Sequence, residues 1–358
     1  MPAIRSPLYA ALVASFAIAL YNSQIAAQTE RRTLSGDVVA IYNLAGKLRV
    51  ESGNGSDVVV EITRGGRDAR ELRIEQGSLG GREALRVIYP SERVVYPGLG
   101  RRDHTTVSVR DDGTWGDERS RSSSDRERNR IEISGSGSGL EAYADLRVLV
   151  PRGQRIVIRN AVGEARITTV DADLAVDVLG SDITAERTRG HLSLDTGSGS
   201  VSVTDAEGDV DLDTGSGSVT IAGIKGQTLR MDTGSGSIHG TDIDVGDLKA
   251  DVGSGGVRLE RVRASRVDVD AGSGGTELEL LSTVERLKVD AGSGGVTVRL
   301  PGSLGANVDI ETGSGGIDTD FAVQVTRFEQ RHMVGKIGDG RGQIRIESGS
   351  GHVRLLKG

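Results

Sequence analysis

Acidic residues recur in this chain at a spacing that would let carboxylates act together. Asp195, Asp213, Asp232, Asp251, Asp270 and Asp290 each stand two residues before a Gly-Ser-Gly turn, and Glu311 and Glu347 hold the same place in the last two copies. If the copies stack in register, these side chains form one outward column at a spacing of about 4.8 Å. Unit charges at that distance repel by about 1 kcal/mol even at water's dielectric, so something must offset the repulsion. Two chemistries answer. Each carboxylate can accept hydrogen bonds from the glycine amides of its own turn, or the column can hold divalent cations, because hard Ca²⁺ takes carboxylate and carbonyl oxygens. Turn capping is the plainer expectation. Calcium-binding rolls carry a nine-residue GGxGxDxUx repeat, and this sequence does not. No other cofactor is expected.

Further candidates are weaker. The GSGS turns invite a phosphate-cradle reading, but a P-loop needs GxxxxGK[ST] running into a helix, and neither the lysine nor the helix is present. Thr196, Thr214, Thr233 and Thr312 follow the acids. Val252, Ala271 and Ala291 interrupt that series, so inward packing near the corner is its expected role. His104, His191, His239, His332 and His352 are scattered without metal-ligand spacing. There is no cysteine, hence no thiol nucleophile and no disulfide. Serines lie in turns without a nucleophile-elbow context. No catalytic residue is nominated. The aromatic residues point elsewhere: none falls between 191 and 320, whereas Trp115 stands beside Arg101 and Arg102 in a charged stretch. Tryptophan and arginine are enriched at binding hot spots, so Trp115, Arg101 and Arg102 are the expected partner contacts.

Repeats must position these groups. HLSLDTGSGSVSV (191–203) recurs as DVDLDTGSGSVTI (209–221), TLRMDTGSGSIHG (228–240), DLKADVGSGGVRL (247–259) and onward to QIRIESGSGHVRL (343–355). The first turn glycine falls at 197, 215, 234, 253, 272, 292, 313 and 349, so all but the last interval run from 18 to 21 residues. The final one, 36, is about two periods. Near-constant pitch marks a solenoid or array, and apolar–polar alternation on both sides of each turn marks strands. Glycine supplies the positive φ that a tight reversal needs. The expected fold is therefore all-β, a parallel β-solenoid of 18–21-residue coils. Eight or so coils would make a rod about 40–50 Å long. An antiparallel meander of the same hairpins is the competing arrangement.

Composition agrees. Of 358 residues, 52 are glycine and only 3% are aromatic; that glycine content is roughly double the usual ~7%. Residues 191–320 hold 22 Asp and Glu against 10 Lys and Arg, which argues against nucleic-acid binding, where affinity comes from neutralising phosphates. Residues 1–27 read as a secretory signal: Arg5, then the apolar LYAALVASFAIAL (8–20), then small residues ending at Ala27. The apolar run is shorter than the ~20 residues of a spanning helix, so no membrane span is expected after cleavage. The organisation read from the sequence is a 28–99 β-strand region, a 100–139 charged flexible insert, and a 140–358 repeat domain interrupted at 321–342. The insert has eight arginines against seven acids over 100–130 and few aliphatics, a mixture that does not order itself. Phe321 and Phe328 are expected to close the open end of the stack.

RVLVPRG (147–153), the DTGSGSV strand repeats, the late GKIGDG (335–340) and the closing ESGSGHV together resemble a bacterial adhesin-like family of β-strand-repeat proteins of unknown function. The resemblance covers roughly 34–358 apart from the insert. It implies a β-solenoid-like domain exposed in or on the cell envelope and brings no catalytic residues with it. The expected function is an exported, non-enzymatic module that contacts a glycan or protein of the envelope, located in the periplasm, at the surface or outside the cell, with end-to-end self-association open to it. A glycan-active β-helix enzyme and a calcium-stabilised extracellular scaffold are the alternatives.

Overall fold

One repeat shows how the chain turns into a coil. The computed structural model describes residues 29–116 and 128–358; the signal segment lies outside them. In the coil beginning at His191, Leu192, Leu194, Thr196, Val201, Val203 and Ala206 point inward and are buried. Every strand is matched in parallel by its counterpart one repeat on, with Leu192 beside Val210, Asp195 beside Asp213 and Val201 beside Val219. The parallel arrangement thus prevails over the meander. Each inward side chain sits on its equivalent in the next coil, so a modest aliphatic composition builds one continuous core.

The Gly-Ser-Gly corners work differently from the sequence expectation. None of their glycines lies in the left-handed region. They are required by close stacking instead: a Cβ on Gly217 would stand 1.9 Å from the Gly199 carbonyl oxygen of the preceding coil, and one on Gly236 would stand 1.9 Å from the Gly217 oxygen. Left-handed residues occur at another corner. Thr169, Arg187, Asp205, Gly223, Asp242 and Arg261 occupy it in successive coils, with φ between 53° and 69°. That conformation costs a non-glycine residue roughly 1–2 kcal/mol, and only Gly223 escapes the cost.

The N-terminal region is not a separate layer. Val38–Ala45 pairs in parallel with Arg155–Val162, and Leu48–Ser52 with Ala165–Thr168, forming a coil directly beneath the repeats. Arg82–Ile88 and Tyr143–Val150 extend its two faces. Antiparallel strands Arg73–Leu79, Val58–Gly65 and Thr29–Leu34 then finish this end. Residues on both sides of the insert therefore share one sheet and one core.

The other end is threaded. Strand Gly342–Ser348, from the last repeat in sequence, lies between Arg286–Ala291 and Ala306–Thr312 and pairs in parallel with both. Val353–Lys357 is likewise inserted between Val296–Leu300 and Ile317–Thr319. The 36-residue interval thus marks a chain that passes over one coil position and returns to fill it. Residues 321–342 supply the excursion as an antiparallel hairpin, Val323–Glu329 with His332–Ile337, laid on the last coil. Phe321 is buried as expected, whereas Phe328 is 69% exposed and does not close the end.

The described parts of the insert, 100–116 and 128–139, also depart from expectation, and its residues 117–127 lie outside those described. His104–Arg110 and Arg128–Ser134 pair antiparallel, and Arg93–Val95 joins them to make a separate three-stranded sheet. Val107, Val109, Ile131 and Ile133 bury one face of it. These few alternating aliphatics suffice because they pack onto an existing core rather than forming their own.

Candidate functional site

The acidic column forms. In stacking order it runs Asp177, Asp195, Asp213, Asp232, Asp251, Asp270, Asp290, Glu347 and Glu311, the last two exchanged relative to the sequence by the threading. Arg159 heads it and forms an ion pair with Asp177. A shallow groove of ≈ 330 Å³ follows the column past Asp195, Asp213, Asp232 and Asp251, with Arg230 and Lys249 beside it. Burial raises the Asp195 carboxyl above its usual range, and the Asp177 charge adds to the effect while Arg159 opposes it. Asp213, Asp232 and Asp270 are raised for the same two reasons, burial first and neighbouring column carboxylates second.

The carboxylates do not cap the turns; the next residue does. Thr214 Oγ1 accepts from the Gly217 amide at 3.0 Å and donates to the Gly199 carbonyl of the preceding coil at 2.7 Å. Thr196, Thr233, Thr312 and Ser348 repeat this two-sided bond. An inward hydroxyl on Cβ reaches both groups, whereas the acid one residue earlier points out of the sheet. Nor does the column gather ligands: among the described residues no three His, Asp or Glu side chains converge on a point where a metal ion could sit. A flat ladder offers neighbouring coils one carboxylate each, whereas Ca²⁺ takes six to eight oxygens.

Two imidazoles meet carboxylates near the threaded end, His332 with Asp309 at 2.8 Å and His352 with Asp318 at 2.7 Å. Among the described residues no hydroxyl is hydrogen-bonded to either ring, so neither pair is set up to activate a nucleophile. At the opposite end the position after the acid is taken by asparagine. Asn43 donates to Asn160 Oδ1 at 2.8 Å, Asn160 donates to the Gly46 carbonyl at 2.9 Å, and the Tyr89 hydroxyl donates to Asn43 Oδ1 at 2.8 Å. Burial pushes the Tyr89 phenol far up. This network satisfies buried polar groups where the repeat pattern fades, a structural role that the sequence reading did not assign.

Trp115 is not the surface contact the sequence suggested. It is 2% exposed and belongs to the main core. The tight turn around it packs on the rod: Gly113 abuts Ile88, Gly116 abuts Arg159, and Arg86 donates to the Asp112 carbonyl at 3.1 Å. Its indole therefore anchors the insert sheet. Arg101 and Arg102 are exposed. Arg102 lines the widest concavity among those described, a cleft of ≈ 750 Å³ between the insert sheet and the glycine corners of the rod, with Asp103, His104, Glu164, Asp182 and Ser198 around it. Asp103 was not singled out from the sequence and His104 was set aside as one of five scattered histidines, since nothing in their spacing says that a corner of the rod faces them.

Residues 125–356, more than half the chain, match the Toastrack family (DUF4097). The chain belongs to the Toastrack family. No curated protein matches it. A solved structure described as a "putative cell adhesion protein" from Clostridium sporogenes aligns over 92% of this chain and 100% of that one, at 10% identity and a TM-score of 0.20. So low a score carries no argument. The Toastrack match covers the repeats and the threaded end, while the Arg102 cleft takes its insert-sheet wall from outside the match.

Proposed function

We propose that this Toastrack chain is an exported, non-enzymatic interaction module of the cell envelope, with its contact surface in the cleft beside Arg101 and Arg102. One observation carries the reading. In the column each acid from Asp195 to Glu347 has a carboxylate above and below it, so none is set apart from its neighbours; the cleft breaks that uniformity, and it presents exposed Arg102 and His104 over a concave surface. The exposed Arg101 and Arg102 beside the cleft can engage a carboxylate or phosphate of an envelope component by paired hydrogen bonds, while Asp103, Glu164 and Asp182 in its lining accept from donor groups of the same component. Export rests on residues 1–27 and their signal-like order.

The test is co-sedimentation of the purified chain with envelope fractions of its native cell. Exchanging Arg101→Glu and Arg102→Glu together should lower the bound fraction at least fivefold with no change in melting temperature, since surface charge changes cost little stability. Undiminished binding by the double variant would remove the cleft from the account. No sedimentation of the wild-type chain would remove the envelope role itself.

A further inference from the structure

The GKIGDG turn (335–340) arranges side chains on the outer face of the threaded end. Gly340, at φ 72°, accepts from the Asn307 side-chain amide at 2.8 Å. The same glycine leaves room for the Lys336 stem, which a Cβ there would meet at 2.6 Å. Lys336 stands opposite Asn307 on the neighbouring strand, Asn307 opposite Gln343, and Gln343 opposite Arg286. Buried Ile337, Val308, Ile344 and Leu287 follow these four in sequence, so the four project outward as one row. The row spans three strand spacings, about 14 Å, along a groove of ≈ 640 Å³.

The groove is basic where the neighbouring column is acidic. Arg286, Lys288, Lys336 and Arg345 line it; its one lining carboxylate, Asp309, is hydrogen-bonded to His332 at 2.8 Å. Lys288 stands directly opposite Arg345, and Arg286 opposite Arg266, and like charges so placed are unfavourable. Arg230 and Lys249 are also opposed, but Asp211 and Asp251 meet them at 3.7 and 3.8 Å. Within the groove Arg345 has Glu347, and Lys288 has Asp268 at 3.9 Å. Arg286 and Lys336, at the two ends of the row, have no acid at ion-pair distance among the described residues. Asp339, which feels the Lys336 charge, is itself held by Arg341.

We propose that this row binds an acidic glycan, a sugar chain that bears carboxylates. Arg286 and Lys336 each hold an anionic group, and Gln343 and Asn307 bond the hydroxyls between them. Asn307 keeps its Oδ1 free to accept, and the Gln343 side-chain amide has no partner among the described residues. All four strands are already paired on both sides. The groove therefore offers no backbone edge to an extended peptide, and recognition falls to side chains, which suits hydroxyls and carboxylates. Its concave floor does not meet a flat bilayer. This groove is separate from the Arg102 cleft and draws its residues from the threaded end alone.

Titration calorimetry of the purified chain with tetragalacturonate, up to about 1 mM, tests this. Maltotetraose and a tetraglutamate peptide serve as the uncharged and the peptide comparison. Tetragalacturonate should bind, and each of the other two should bind about tenfold more weakly or not at all. Arg286→Gln and Lys336→Gln should each weaken tetragalacturonate by about tenfold, the loss of one charge-assisted contact. Gln343→Glu, which sets a carboxylate in the middle of the row on an exposed side chain, should abolish binding with an unchanged melting temperature. Arg354→Gln, an exposed arginine outside the groove, should bind as the wild-type chain does. No binding of tetragalacturonate by the wild-type chain, or binding undiminished in the three groove variants, would overturn the proposal. So would an equal loss in Arg354→Gln, which would mean unspecific charge attraction, or equal binding of tetraglutamate, which would mean a peptide partner.

Discussion

Thr214 and Thr276 occupy inward, fully buried positions in the same rod, yet their hydroxyls differ in consequence. Thr214 Oγ1 joins the corner of its own coil to the corner of the preceding one, while Thr276 Oγ1 is buried with no hydrogen-bond partner. A lost two-sided bond leaves an amide and a carbonyl unsatisfied, whereas removing an unpartnered hydroxyl removes a desolvation cost. Thr214→Val should therefore destabilise by about 2 kcal/mol, and Thr276→Val should stabilise by about 1 kcal/mol. Chemical denaturation of the two variants checks this, and the same sign in both would refute the assignment. The threonine series was visible in the sequence, but its hydrogen bonding was not: the carbonyl that each hydroxyl bonds belongs to another coil, some 15 residues earlier in the case of Thr214. Trp115 misled for a related reason. Its neighbours in sequence are charged, and the apolar core that buries it is built from residues distant in the chain.

At the scale of the element, the repeating strand was legible because alternation and glycine pitch are local signals. What the glycines do was not, since their constraint is the carbonyl one coil away rather than their own φ. The acidic column was likewise predicted in place and mistaken in role. Its carboxyls at Asp195, Asp213, Asp232 and Asp270 are raised by burial and by one another, so the folded state disfavours their charged form. The penalty is absent below the unfolded carboxylate range near pH 4, where the groups are protonated in both states, and is fully present once pH exceeds the raised folded values. Asp242 and Asp247 act in the opposite sense. Hydrogen bonds from Arg261 and Arg266 lower them, so their stabilisation is present at neutral pH and lost as pH falls through their depressed folded values. Asp213→Asn should accordingly raise the melting temperature at pH 7 through a stability gain of a few tenths of a kcal/mol to about 1 kcal/mol for so exposed a group, and the gain should vanish near pH 3. A lower melting temperature at pH 7 would show that the carboxylate has a stabilising partner after all.

The whole molecule is one parallel stack whose final repeat is not its final coil. Period and fold class could be read from residues 191–355, because each repeat predicts its own neighbours; the coils below them, at Asp177, Arg159 and Tyr42, lie outside that pattern. The order of the last coils could not, because a gap of two periods fits both a chain that leaves the stack and one that leaves room for its own end. The consequence is mechanical: the C-terminal strands pair on both sides, which seals the chain end inside the sheet and leaves Ile317–Thr319 and Val323–Glu329 paired on one side only among the described residues. Since the protein has no cysteine, paired substitutions report the stacking order without background. Adjacent parallel strands lie about 4.8 Å apart, within disulfide reach, whereas alternate strands at roughly twice that are beyond the ~7 Å limit. Oxidation should cross-link Asp290→Cys with Glu347→Cys, and Glu311→Cys with Glu347→Cys, but leave Asp290→Cys with Glu311→Cys reduced. A bond in the last pair and none in the first would mean that the coils stack in sequence order, and the threaded end would be wrong.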